Sequence, residues 1–127
     1  MNFKEIAKAI INSGYEVVGI RTLEGDENYE VGDTCRESYE WDLEHDCSTY
    51  FTTGETAGGT CATFIEYEKN WTSEDELIEA IEKAYKSNSA YPGAKVVIAG
   101  DVINTEYGHS DEDEVRIEDA EVIYKLG

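Results

Sequence analysis

The residues able to do chemistry are mostly carboxylates. Of the 29 Asp and Glu in the chain, eleven fall in residues 24–56, where Arg36 is the only base. Among them Glu24, Asp26, Glu27, Glu30, Asp42, Glu44 and Asp46 form the array best placed to meet a basic partner. Carboxylates held in order can stand in for the phosphates that a nucleic-acid-binding protein grips. Electrostatic complementarity then speeds association and makes it salt-sensitive. The same stretch opens a run of aromatics: Tyr29, Tyr39, Trp41, Tyr50, Phe51, Phe64, Tyr67 and Trp71. Most are read as packing. The alternative is a pocket in which Tyr39 or Trp41 stacks on a flat ligand such as a nucleobase. Arg36, Arg21 or Lys95 would then supply positive charge to its phosphate. Arg36, alone among so many acids, also reads simply as the hub of an internal ion pair.

Other chemistries are weaker in the sequence. Cys35, His45, Cys47 and Cys61 could supply four metal ligands, but their spacing lacks the paired knuckles of structural zinc sites, so no metal or cofactor is expected. Three cysteines without a visible secretory leader read as reduced thiols. Cys47 or Cys35 with His45 or His109 would make a thiol–imidazole pair without a local signature, and a small enzyme is kept only as a further alternative. The run Asp111-Glu112-Asp113-Glu114 lacks the Gly and spaced oxygens of a calcium loop and reads as a solvated turn. Gly58-Gly59-Thr60 lacks the Lys and following helix of a phosphate loop.

The whole composition sets the limits. The chain has 127 residues, room for one domain over 1–127, and a formal net charge of −19. That charge argues against direct nucleic-acid binding and against an anionic membrane surface. Apolar residues at 40% and aromatics at 11% suffice for a folded core. The longest apolar run, Val96-Val97-Ile98-Ala99, is far short of a membrane span, and a cytoplasmic setting is expected.

Elements to position these residues follow from periodicity. Phe3, Ile6, Ala7, Ile10 and Ile11 form one stripe of a helix over about 3–13, capped by Asn2 and ended by Gly14. Ser73 and Glu76 form a capping box for a second helix over about 73–88, with Leu77, Ile78, Ile81, Ala84 and Tyr85 as its stripe. Strands are expected over 15–23, 60–67 and 95–99, the last buried on both faces, and one or two more over 114–126, broken around Asp119. Residues 24–59 fit neither period. The fold class is α+β: a mainly antiparallel sheet of about 4–5 strands with two amphipathic helices against one face.

Two stretches also carry a resemblance. One is Gly32-Asp33-Thr34-Cys35-Arg36-Glu37-Ser38-Tyr39-Glu40-Trp41-Asp42 with Gly59-Thr60-Cys61-Ala62. The other is Ile98-Ala99-Gly100-Asp101, Tyr107-Gly108 and the run from Glu114 to Ile123. Over about a third of the chain it resembles small uncharacterised acidic proteins of bacterial phages and mobile elements. The resemblance implies a bacterial host cell and a genomic setting in which small acidic proteins disable host defence, and it assigns no residue a role. The function expected is a non-enzymatic, anti-CRISPR-like inhibitor that occupies the nucleic-acid-binding surface of a basic host protein, such as a CRISPR nuclease. The main alternative is a protein that sequesters a nucleotide signal at Arg36, Tyr39 and Trp41.

Overall fold

The structure, a computed structural model, describes residues 2–23, 27–42, 49–51, 53–54, 61–102 and 114–126, and for 36–42, 49–51, 53–54, 61 and 114–116 it describes the backbone alone. The chain opens with α1 (Phe3–Ser13). The Asn2 side chain accepts the Glu5 N–H, and Gly14 closes the helix at φ +74°, in the left-handed region that Gly enters without strain. Ile6, Ala7 and Ile10 are buried, whereas Ile11, expected on the same stripe, is 44% exposed. The second helix, α2 (Glu74–Asn88), starts from the complete Ser73–Glu76 capping box and buries Leu77, Ile81, Ala84 and Asn88.

The strands are β1 (Val17–Thr22), β2 (Thr34–Asp42), β3 (Thr49–Phe51), β4 (Thr53–Gly54), β5 (Cys61–Phe64), β6 (Lys95–Gly100) and β7 (Glu114–Lys125). All pair antiparallel, in the order β3-β5-β1-β6-β7-β2-β4. The fold is α+β, with five principal strands and two very short ones. The strand expected to be buried on both faces, β6, occupies the middle of that order, and all its residues are buried, as are those of β1. The end strands β3 and β4 are separated by one residue in the chain, and β2 lies against β3 as well as β4. The sheet therefore curls until its two ends meet, with β3 on β5 at one side and β4 on β2 at the other.

The final strand is continuous through Asp119, where the sequence pattern predicts a break. Asp119 holds a left-handed φ of +50°, and the pairing with β6 shifts register between Val97 and Ile98. Each irregularity turns the side-chain alternation without ending the strand.

Two cores result. The helices cover one face of the sheet, where Ile6, Ile10, Leu77 and Ile81 pack on Val18, Ile20, Val97 and Ala99. The inside of the curl holds Val17, Leu23, Cys35, Ala62, Val96, Ile98, Ile117, Ala120 and Val122. Each core also takes a cation. Lys95 lies under the end of α2, donating to the carbonyl oxygens of Asn88 (2.9 Å) and Tyr91 (2.8 Å), to Thr22 Oγ1 (3.0 Å) and to Asn88 Oδ1. It thereby places its positive charge at the negative end of the helix, on the last helical carbonyl and on a carbonyl of the turn beyond it. Arg21 is fully buried in the inner core, 2.8 Å from Glu27 and 5.2 Å from the centre of the Tyr29 ring.

Candidate functional site

Where β5 hands over to α2, the chain makes a turn before the helix begins. The Glu68 carbonyl accepts the N–H groups of Trp71 and Thr72, the Glu68 N–H donates to Thr72 Oγ1, and Asn70 takes a left-handed φ of +73°. Asn tolerates that conformation better than most residues. The capping box follows at once, so the helix axis is fixed against the turn. Opposite, Glu16 and Val102 stand at the start of β1 and just past the end of β6. Asp101 Oδ1 accepts the Glu16 N–H and Glu16 Oε2 accepts the Val102 N–H, each at 3.2 Å.

These parts enclose a groove of about 860 Å³. From α2 come Glu76, Glu79, Ala80 and Lys83, whose spacing of three, four and seven residues sets them on one helix face. The turn adds Glu66, Tyr67, Glu68, Lys69 and Thr72, and the sheet adds Glu16, Val17, Phe64 and Val102. The rim thus carries five glutamates against two lysines, over a floor of Val17, Phe64, Tyr67, Ala80 and Val102. Lys83 reaches toward Glu66 at 3.6 Å, with both side chains 76% exposed, so water screens that pair. Trp71, 83% exposed, stands on the turn beside Thr72.

The chemistry of the groove is that of fixed negative charge beside apolar surface. The backbone N–H and the hydroxyl of Ser73 hold the Glu76 carboxyl below the usual range, so it is ionised at neutral pH. Burial pushes the Tyr67 hydroxyl up, keeping it a neutral donor. Among the described residues no three His, Cys, Asp or Glu side chains converge closely enough to hold a metal. No helix of the described residues is long and apolar enough to cross a membrane.

Of the array expected in residues 24–46, Glu27 and Glu30 are described in full, and neither lines the groove. Glu27 is turned inward to Arg21, with the Tyr29 hydroxyl donating to it at 3.3 Å. Glu30 is exposed and pairs with Lys125 at 3.2 Å. Asp42 ends β2 opposite Glu114, and Glu24, Asp26, Glu44 and Asp46 lie outside the described residues. For the stacking pocket, β2 sets Tyr39 opposite Ile117 and Trp41 opposite Val115, with Arg36 in the stretch where the register shifts. The side chains of all three lie outside the described residues. Arg21 pairs across strands with Val96 and Lys95 with Thr22, which puts the two cations on opposite faces of the sheet. They do not make one positive patch. Cys35 is buried, the Cys61 side chain, His45, Cys47 and His109 lie outside the described residues, and so do Asp111, Glu112 and Asp113.

Sequence reasoning missed the groove in part because Glu76, one of its five acids, had another explanation. With Glu74 and Asp75 it complements the helix dipole, and that alone accounts for its type. The remaining signal was Glu76, Glu79 and Lys83 on one helix face, with the exposed Trp71 just upstream. No protein-family model, curated protein or solved structure matches the chain.

Proposed function

We propose that this chain is a non-enzymatic acidic binding protein that occupies the nucleic-acid-binding surface of a basic protein, in the manner of an anti-defence inhibitor. One observation carries the reading: the carboxylates around the groove are mounted on a capped helix and a hydrogen-bonded turn. A mimic needs its charges held in place, because ordering them at the moment of binding costs affinity. Along α2, Asp75, Glu79 and Glu82 are exposed and rise about 6 and about 4.5 Å per step along the axis. Phosphates on one DNA strand advance by about 3.4 Å of axis per charge, the same scale. The net charge of −19 supplies long-range attraction for a basic surface.

The test is a competition. The immobilised protein is offered purified basic nucleic-acid-binding proteins, a CRISPR nuclease among them, at about 50 mM salt, where the Debye length is near 14 Å. A retained protein should be released by about 0.5 M salt and displaced by excess duplex DNA. Retention that DNA does not disturb, or no retention at low salt, overturns the reading.

A further inference from the structure

The groove has two chemistries in one place, and together they narrow the partner. Its rim is acidic while its floor, including Phe64, Ala80 and Val102, is apolar. A flat array of charges for a phosphate-binding surface needs no such floor. Among the described residues the rim carboxylates do not converge on a point, as a metal ion would require. They are spread along α2 and the 66–69 turn, which suits charges that are themselves spread out. Resting on the function proposed above, we infer that the groove seats a basic peptide segment of the partner: one or two apolar side chains on the floor, flanked by Lys or Arg at the rim.

The rigid frame supports this. The hydrogen bond from the Val102 N–H to the Glu16 carboxylate fixes one end of the groove, and the capping box fixes the other. Apolar side chains of the segment would leave water on Phe64 and Val102, which gives affinity that salt does not remove. The flanking cations would meet Glu68 and Glu79, which gives the salt-sensitive part. Trp71, beside the groove and 83% exposed, offers a ring face to a guanidinium.

The inference is tested with two acetylated and amidated peptides of equal charge, Lys-Arg-Leu-Phe-Lys-Arg and Lys-Arg-Ala-Ala-Lys-Arg, titrated into the isotopically labelled full chain. The first should bind about tenfold more tightly at about 50 mM salt, given the apolar area it buries. Backbone shifts should centre on Tyr67, Ala80 and Val102. Glu68→Lys with Glu79→Lys, both at exposed positions, should weaken both peptides about tenfold or more. Ala80→Gln should narrow the difference between them. Equal binding of the two peptides, or shifts centred away from the groove, overturns the inference. Its failure is separable from failure of the broader reading. If Glu68→Lys/Glu79→Lys leaves the DNA-sensitive capture of a basic protein intact, the groove is rejected while the mimic stands. If groove binding holds but DNA never competes, the mimic is rejected.

Discussion

Replacing Lys95 with Met should destabilise the protein by about 3 kcal/mol while leaving the acidic groove as it is. The side chain lies on the helix-covered face, only 8% exposed, and its ammonium donates to the Asn88 and Tyr91 carbonyl oxygens as well as to the polar side chains nearby. Met fills nearly the same volume and donates nothing. Thr22 Oγ1 keeps its bond to Asn88 Oδ1 at 2.6 Å and the Asn88 carbonyl keeps the Tyr91 N–H at 3.0 Å, so the Tyr91 carbonyl is the acceptor left unserved and the rest of the loss is of charged hydrogen bonds. The unserved carbonyl costs about 1–3 kcal/mol, and each hydrogen bond lost from the ammonium about 1.5–3 kcal/mol. Relief of the desolvated charge offsets part of that, which leaves a net cost of about 3 kcal/mol. With an unfolding entropy of about 2.1 cal/mol/K per residue, a chain of 127 residues loses about 11 °C in Tm. Thermal unfolding followed by circular dichroism measures the shift, and urea titration should show a lower midpoint at an unchanged slope. A drop below about 3 °C would refute the reasoning, because it would mean that water serves those carbonyls as well as the ammonium does.

Three further outcomes are expected. Glu27→Ala removes the carboxylate beside fully buried Arg21 and should cost about 2 kcal/mol in urea unfolding, low for a buried pair because Glu27 keeps 22% of its side-chain exposure. Gly93→Ala should cost about 2 kcal/mol by the same assay, since φ is +132° and a Cβ would sit 2.8 Å from the Leu23 carbonyl oxygen. The Tyr15 hydroxyl is pushed up by burial and by its bond to Glu121, and the Tyr124 hydroxyl by its bond to Glu5. A raised folded pKa favours the neutral phenol in the native state. The stability it brings is therefore full below pH 10 and falls as pH rises through the folded values. Unfolding midpoints from pH 8 to 11 should show that fall, and Tyr15→Phe with Tyr124→Phe should lessen it, leaving the share of Tyr67, whose hydroxyl is also pushed up.

What the sequence made legible was local. Helix α1 needs only its own stripe, Asn2 and Gly14, and α2 announces itself through Ser73 and Glu76. The strand β6 shows as an unbroken apolar run because both of its faces are covered. What stayed hidden depends on distant partners. The strands β2, β3 and β4 sit in an acidic, aromatic stretch whose strand character comes from pairing: β2 with β7, far along the chain, β3 with β5 and β4 with β2. The full length of β7 was obscured by the left-handed Asp119 and by the register shift beside β6, which scramble the two-residue alternation. Arg21 and Lys95 each sit in a strand of otherwise small or apolar residues, and that oddity is the sequence trace of their burial. The groove could not be read because Glu16, Glu68, Glu79 and Val102 come from four separate places along the chain.

The curled sheet bears on how the molecule behaves in company. An exposed strand edge offers a row of unpaired N–H and C=O groups to any other chain. Here the β5 and β2 edges are both met by one short run, β3 with β4, using three residues for the first and two for the second. That run is a clasp, and its release would bare two edges at once rather than one. A second copy that offered its own clasp would find both sides of the gap matched to it, since the pairing is the native one. Resistance to strand exchange between copies is thus concentrated in about half a dozen residues, while the helices and the two cores contribute to it only by holding the gap to the right width.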